Sequence, residues 1–404
     1  QKCLCQCFQI LSQLIKSGLV GGSYLIGIIG GDSIGDALIL GCSVGNDFLQ
    51  GIALISDRLD RCLFCIGCIG CIQSSGYSFY LCDCIGIAGV DIALADAVNG
   101  SGDRCDSLHG NGAGGFYVDK VLKPLGATTE GSRFLEPDGS FPNHIPNPED
   151  KEAMESITEA VRETGADLGI IFDTDVDRAG AVLSDCSELN RNRIIAMLAA
   201  ILLREHPGTT IVTDSITSTG LAKFIEEKGG VHHRFKRGYR NVINESIRLN
   251  NLGQDSQLAI ETSGHGALKE NYFLDDGAYL VTKIVIELAK GNDIEKILEP
   301  LEMPYEEKEV RFNITEPDFK SYGQMVIDKL YDFAKDKPQY KIADDNREGI
   351  RICTENGWFL LRLSVHDPVV VVNFESQVNG GIAGDIKKLR PFLEQFSQLD
   401  ISNL

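Results

Sequence analysis

Residues 168–180 read LGIIFDTDVDRAG, an apolar run that meets three aspartates at alternate positions, Asp173, Asp175 and Asp177, with Arg178 directly after them. Leu168 to Phe172 is short and uniformly apolar, the pattern of a strand buried on both faces. Where an extended segment continues past the strand, alternate side chains share a face, so the three carboxylates converge. Three adjacent carboxylates do not all stay ionised without a cation nearby. Hard oxygen ligands in a small set favour Mg²⁺, which keeps room in its shell for a phosphate oxygen. The carboxyl end of a parallel strand is also where α/β folds place their ligands.

Two other motifs share this spelling. A calcium-binding EF-hand loop needs Gly at its sixth position and Glu at its twelfth; counted from Asp173, the chain has Arg178 and Ser184 there. A haloacid-dehalogenase-type phosphatase carries D-x-D-x-[T/V] after a strand. Asp173 and Asp175 fit that pattern, and Asp177 departs from it at the fifth position. A solvated acidic turn that caps a helix is the plain alternative.

Around this stretch, strands and helices alternate. DKEAMESITEAVRETG reads as a helix stopped at Gly165 before the strand, and RNRIIAMLAAILLREHPG as a helix ended by Pro207-Gly208. TTIVTDSITSTGLAKFIEEKGG repeats strand, polar turn and helix. SQLAIETSGHGALKENYFLDDGAYLVTKIVIELAKG gives a strand, a long loop and another helix. GNGAGGFYVDKVLKPLG reads as a glycine-rich turn entering a helix, with Phe116, Val118, Val121 and Leu122 on one face. From about residue 305 the rhythm changes. YEEKEVRFNI, REGIRICTENGWFLLRLS and VVVVNFES read as strands, the middle stretch folding back at TENGW. FKSYGQMVIDKLYDFAKD and IKKLRPFLEQFSQL read as helices. The expected class is α/β: domains over 1–105, 106–205 and 206–305 with mixed, mostly parallel sheets, then a smaller α+β domain over 306–404 with an antiparallel sheet.

The 404 residues carry 38 Lys+Arg against 58 Asp+Glu, a formal net charge of −20. So acidic a surface repels nucleic acid and anionic membranes, so neither is an expected partner. No apolar run reaches the roughly 18 residues of a spanning helix. The start, QKCLCQC, lacks an initiator Met and a signal-peptide layout, so the numbering is expected to begin inside a longer chain, in the cytoplasm. Residues 1–105 stand apart: they hold 11 of the 13 cysteines and no Glu, Pro, Thr or His. Cys62, Cys65, Cys68 and Cys71 repeat C-x2-C, a spacing used by metal clusters. They lie in a Gly/Ile/Cys-rich run without the ferredoxin proline, which reads equally as an apolar strand with Cys as a small hydrophobe.

Three further constellations carry chemistry. ETSGH places Glu261, Ser263 and His265 at alternate positions after a strand, an acceptor, a hydroxyl and an imidazole suited to sugar hydroxyls, with Gly264 and Gly266 allowing close approach. FKRGYRNV gathers Lys236, Arg237 and Arg240, a basic knot in an acidic protein that suits an anion. LLRLSVHDP offers Arg362, Ser364 and His366, a guanidinium fork, a hydroxyl and an imidazole fit to cradle a phosphate. Solvated polar faces are the plain alternative at each.

In this order and spacing the motifs resemble the α-D-phosphohexomutase superfamily, the phosphoglucomutase/phosphomannomutase enzymes. DTDVDR resembles the family's metal loop, usually D-G-D-G/A-D-R. ETSGH resembles its sugar loop, commonly G-E-x-S-G-H. KRGYR resembles the third-domain loop, RLSVHDP the phosphate loop R-x-S-x-T-E-P, and GNGAGGFYVDKVLKPLGA the start of the second domain. The likeness covers roughly residues 106–404. It implies four domains around a central cleft and reversible transfer of phosphate between O1 and O6 of a glucose or mannose phosphate. A phosphoserine and a hexose 1,6-bisphosphate intermediate, which also serves as activator, carry that transfer. It further implies that Asp173, Asp175 and Asp177 bind Mg²⁺ and that Arg178 supports the phosphoserine. Glu261 and Ser263 would hold sugar hydroxyls, with Arg240 beside them. Lys236 and His265 would serve in proton transfer or substrate contact, and Arg362, Ser364 and His366 would hold the non-reacting phosphate. The implied partner is a phosphorylated hexose, and the implied state a monomer or homodimer. Two departures stand out. His366-Asp367 replaces the usual Thr-Glu, and the family's T-A-S-H loop has no match. GCIGCIQSSGYSF aligns Ser74 with the family serine, both nucleophile and fourth metal ligand, with Ser75 beside it. A haloacid-dehalogenase-like phosphatase and a catalytically inactive sugar-phosphate-binding relic are the rival readings.

Overall fold

The computed structural model describes the backbone of residues 23–29, 37–44 and 47–54, and residues 104–404 apart from 365–366. The chain divides after residue 87 into two compact units. In the first, β1 (Ser23–Ile29), β2 (Ala37–Val44) and β3 (Asp47–Leu54) form an antiparallel meander. Ser74, Ser75 and the C-x2-C run lie outside the described residues.

In the second unit, β4 (Cys105–Leu108), β5 (Leu168–Phe172), β6 (Ala179–Leu183) and β7 (Glu188–Leu189) form one sheet in chain order. β5 is fully buried, as its uniform apolarity requires. Helix α1 (Lys151–Thr164) covers one face. The Asp150 carboxylate accepts from the Ala153 N–H at its start, and Gly165 ends it in the left-handed conformation, as expected. Ala153, Met154, Ile157, Ala160 and Val161 form its buried stripe. The glycine-rich entry segment departs from the expected helix. Val118–Leu122 winds as a π-turn, which rotates Tyr117 into the core and leaves Phe116 exposed.

The next sheet has the order β11-β10-β8-β9. β8 (Thr210–Thr213) is parallel to β9 (Val231–Arg234) and to β10 (Ser256–Ile260), and β11 (Gly266–Leu268) returns antiparallel beside β10. Helices α2 (Asn192–Glu205), α3 (Thr219–Glu227), α4 (Tyr239–Asn251), α5 (Gly277–Ala289) and α6 (Ile294–Leu298) surround it. These two sheets are mixed, as expected, but not mostly parallel: half of their strand pairings are antiparallel, because β6, β7 and β11 return by short loops and not by helical crossovers. α5 packs on β5 and β6 as well as on β11, so one hydrophobic core runs from Ile170 and Phe172 through Val281 and Ile284 to Ile211 and Leu258. That shared core fixes the ends of β5 and β10 relative to each other.

The last sheet is wholly antiparallel, in the order β12-β16-β15-β14-β13, from Glu306–Asn313, Val369–Ser376, Gly357–Leu363, Ile350–Cys353 and Lys341–Ile342. Helices α7 (Phe319–Ala334) and α8 (Gly381–Leu393) cover one face, over a core of Phe312, Ile352, Phe359, Val372, Phe374 and Phe392. The opposite face of β15 carries Trp358, Leu360 and Arg362 at alternate positions. This face joins the preceding sheet through the segment after β8. The Arg351 guanidinium lies 3.5 Å from the centre of the Trp358 ring and donates from Nη1 to the Ser215 carbonyl (2.9 Å) and from Nη2 to that of Thr217 (3.3 Å). Arg234 Nη2 donates to the Ser218 carbonyl (2.7 Å) while Nη1 pairs with Asp345. The Thr219 N–H donates to Glu375 Oε1 (3.1 Å). Among the described residues no helix is long and apolar enough to cross a membrane.

Arg351 is buried, so Arg351→Ala strips a buried carbonyl of its donor as well as removing a ring contact. Its cost is expected to be about 2–4 kcal/mol in chemical denaturation. An unchanged unfolding midpoint would mean that this joint contributes nothing.

Candidate functional site

The loop after β5 is closed by its own first aspartate. Asp173 is buried, and its Oδ1 accepts from the Val176 N–H (3.0 Å) and the Arg178 N–H (3.1 Å), while Oδ2 accepts from Arg178 Nε (2.9 Å). Those bonds hold Val176 at φ +73°, a left-handed conformation costly for a β-branched residue. The loop is thereby folded tightly enough that one carboxylate oxygen from each of Asp173, Asp175 and Asp177 lies within 4.8 Å of the others. Asp177 Oδ1 is buried and has no hydrogen-bond partner among the described residues. Burial first, then the charge of Asp173, pushes the Asp177 carboxyl up to about 7. A divalent cation would relieve both effects. Asp175 is exposed and Asp173 Oδ2 retains a lone pair, so the donor set fits a hard cation.

Beside this cup lies the loop after β10, and the two are joined through the backbone. Arg178 and His265 form an antiparallel bridge, and the Gly277 N–H at the start of α5 donates to the Val176 carbonyl (3.0 Å). The approach is too close for side chains: Gly264, at φ +98°, would place a Cβ 2.8 Å from the Ala179 carbonyl oxygen, and Gly277 one 2.6 Å from the Arg178 carbonyl carbon. His265 Nδ1 bonds Asp275 Oδ2 (2.9 Å), sits 3.7 Å from Asp177 Oδ2, and its ring stacks on Tyr239. Burial alone would lower the imidazole pKa. The hydrogen bond and charge of Asp275, with the charge of Asp177, outweigh burial and raise it.

Glu261 is buried and accepts from the Gly238 N–H, which ties the sugar-type loop to the KRGYR loop; Ser263 Oγ lies 3.5 Å from Glu261 Oε2. Burial and then the nearby Asp214 charge push the Glu261 carboxyl up to about 7, against the Gly238 N–H and Arg237. Arg237 donates its backbone N–H to Glu348 Oε2 (3.1 Å), which also accepts from Ser215 Oγ, and its guanidinium lies 3.9 Å from Glu149 Oε1. Arg362 is buried, its Nε without an acceptor among the described residues and its Nη2 3.8 Å from Glu309 Oε2. Burial lowers its pKa from the ordinary guanidinium value. An orphan donor on a buried guanidinium is what an anion site requires.

Asp173, Asp175, Asp177, Arg178, Glu261, Ser263 and His265 thus come together in one joined pair of loops. Lys236 and Arg240 are exposed, and Arg240 bends back over the Tyr239 ring, donating to its hydroxyl (3.0 Å). Ser364 Oγ accepts from the Asp367 N–H (3.3 Å) at the turn after β15, and His366 lies outside the described residues. Sequence reasoning passed over Asp275, Asp214, Asn147 and Glu348. Asp214 had a readable signal, since it ends β8 as Asp173 ends β5. Asp275 sits one residue before Asp276, whose side chain caps α5, and a pair of aspartates at a helix start reads as capping alone.

The chain is similar to known proteins over much of its length. Residues 107–185 match the model of phosphoglucomutase/phosphomannomutase alpha/beta/alpha domain II, and residues 190–305 that of domain III. The phosphomannomutase/phosphoglucomutase of Pseudomonas syringae pv. tomato is 31% identical over 294 residues, 70% of this chain and 60% of the relative. The phosphoglucomutase of Neisseria gonorrhoeae is 30% identical over 275 residues, 68% and 57% of the two chains. The crystal structure of a phosphoglucomutase/phosphomannomutase family protein from Burkholderia thailandensis superposes with a TM-score of 0.63 at 28% identity, covering 76% of this chain and 64% of that one. The chain belongs to the α-D-phosphohexomutase superfamily. It spans about 55–60% of the length of the curated relatives it matches.

The raised Glu261 pKa has a definite sign for stability. The folded chain keeps this proton up to about pH 7, whereas the unfolded chain releases it near the ordinary value of about 4.3. Between the two, the folded state binds more protons, so this group makes stability fall as pH rises. Glu261→Gln should flatten that slope and exceed the parent in unfolding free energy at pH 8 by on the order of 2 kcal/mol. A variant less stable than the parent at pH 8, with an unchanged slope, would contradict the assignment.

Proposed function

We propose that the chain is a Mg²⁺-dependent phosphohexomutase that interconverts hexose 1-phosphate and hexose 6-phosphate, with glucose or mannose as the sugar, through a phosphoserine and a hexose 1,6-bisphosphate. The observation that carries the reading is the joint between the loops after β5 and β10, which sets a three-carboxylate cup directly against Glu261, Ser263 and His265. The identity to bacterial mutases over 70% and 68% of this chain supports it.

In this reading Asp175, Asp177 and the free lone pair of Asp173 hold Mg²⁺. When bound, the ion neutralises charge on the phosphoryl group in transfer. Arg178 faces the same group, and Glu261 and Ser263 accept and donate hydrogen bonds to sugar hydroxyls. His265, aligned by Asp275, takes the proton of the attacking sugar hydroxyl and returns one to the leaving oxygen in the reverse sense. Arg362, Ser364 and His366 hold the phosphate that does not react, with Lys236 and Arg240 as further substrate contacts. Ser74 is the proposed phosphoserine and fourth metal ligand. The proposed layout is four domains, with breaks near 105 and 305 and a third near 190 in place of 205, since α2 packs on α3 and α5. A monomer or homodimer in the cytoplasm, free of nucleic acid and membrane, is the proposed setting. The phosphatase reading asks Asp173 to attack, and Asp177 stands at the fifth position where that motif has Thr or Val.

A coupled assay of glucose 1-phosphate conversion, run with and without glucose 1,6-bisphosphate and Mg²⁺, tests the proposal. Conversion that requires Mg²⁺ and rises with the bisphosphate is expected. If glucose and mannose phosphates both fail to interconvert, the mutase reading falls.

A further inference from the structure

Arg178 is held at two points. Its Nε donates to Asp173 Oδ2 (2.9 Å) and its Nη1 to Asn147 Oδ1 (3.1 Å). The first bond alone would leave the guanidinium free to pivot about Nε; the second sets the plane of the fork. Asn147 lies 31 residues before Arg178 in sequence, in the turn HIPNPED that leads into α1.

That turn is itself braced. Pro146 and Pro148 flank Asn147 and are buried, restricting the backbone on both sides. The Glu149 N–H donates to Asn147 Oδ1 (3.0 Å), and the Asp150 N–H to the Asn147 carbonyl (2.9 Å). Asn190 Nδ2 donates to the Pro148 carbonyl (3.2 Å), which fastens the turn to the segment before α2. Asp150 caps α1. From the same turn Glu149 reaches toward Arg237. A segment this well fastened can aim a long, flexible side chain. Its contact with Arg178 is also chemically apt: an amide oxygen accepts from the guanidinium without contributing a negative charge that would compete with a phosphate.

We propose that Asn147 is the positioning residue for Arg178, setting the orientation in which its guanidinium meets the phosphoryl group. This inference rests on the mutase reading of the site, since it presumes a phosphorylated ligand in front of Arg178. Asn147 touches no reacting atom; it acts through Arg178 alone.

The test is a double-variant cycle read by calorimetric titration of glucose 1,6-bisphosphate into the full chain with Mg²⁺ present. Asn147→Ser is the informative change. Its shorter hydroxyl keeps the bond to the Glu149 N–H that shapes the turn, but does not reach Arg178. Asn147→Ser is expected to weaken bisphosphate affinity by about tenfold, the scale of a hydrogen bond to a charged group. In an Arg178→Lys background the same change should have no further effect, because the group it positions is gone. Magnesium affinity of Asn147→Ser, measured in the same instrument, should stay within about twofold of the parent, the cup being untouched. A purely structural role for the turn predicts otherwise: equal losses in both backgrounds and a lowered thermal midpoint for each, a result that would overturn the inference. A parent chain that binds the bisphosphate without interconverting hexose phosphates removes the mutase reading and leaves the cycle to decide the role of Asn147. A parent that binds no bisphosphate removes both.

Discussion

One contact governs the arrangement of the site: the backbone bridge between Arg178 and His265, with the Gly277 N–H bonded to the Val176 carbonyl. It joins two loops that end two different sheets, and it does so where no side chain could intervene. The shared core beneath, running from β5 across α5 to β10, holds the strand ends at the separation this bridge needs. Remove the bridge, and the carboxylate cup and the sugar-type loop become two unrelated surface turns. With it, the three-carboxylate cup, an imidazole, a carboxylate and a hydroxyl come together.

The electrostatics follow from that closeness. Asp177 is half-buried and Glu261 buried, each near another carboxylate, Asp173 for the one and Asp214 for the other, and both are pushed up to about 7. Guanidiniums and an imidazole offset part of this: Arg178 against Asp173, Arg237 against Glu261 and Asp214, His265 against Asp177. The acidic pole and the buried Arg362 of the last sheet meet through Arg237 and Glu348, so the fourth sheet is electrically part of the same neighbourhood. Its docking uses the main-chain carbonyls of Ser215 and Thr217, which accept from Arg351, together with the Arg234–Asp345 ion pair and the bond from the Thr219 N–H to Glu375.

Much of this was legible from residue order alone. The apolar run into Asp173, the Gly165 stop, the antiparallel rhythm after residue 305 and the clustering of Glu261, Ser263 and His265 all rest on local patterns, and each has its counterpart in the fold. What could not be read depended on contacts between distant segments. Asn147 meets Arg178 only because α1 packs on β5, and Asp275 meets His265 only because β11 turns back on β10. The π-turn at Val118–Leu122 defeats a 3.6-residue reading, so Phe116 was placed on the buried face that Tyr117 occupies. The excess of parallel pairing was inferred from alternation of strands and helices, which is blind to the short returns of β6 and β11.

The central claim is that the aspartates after β5 form a cation cup that serves transfer from a serine, and are not themselves phosphorylated. The most direct measurement is to incubate the full chain with glucose 1,6-bisphosphate and Mg²⁺ and to locate the protein-bound phosphate by mass spectrometry, with hydroxylamine treatment to detect acyl phosphates. Acid-stable phosphate on a serine, at Ser74 or Ser75, is the predicted result. Hydroxylamine-labile phosphate on Asp173 would contradict the account.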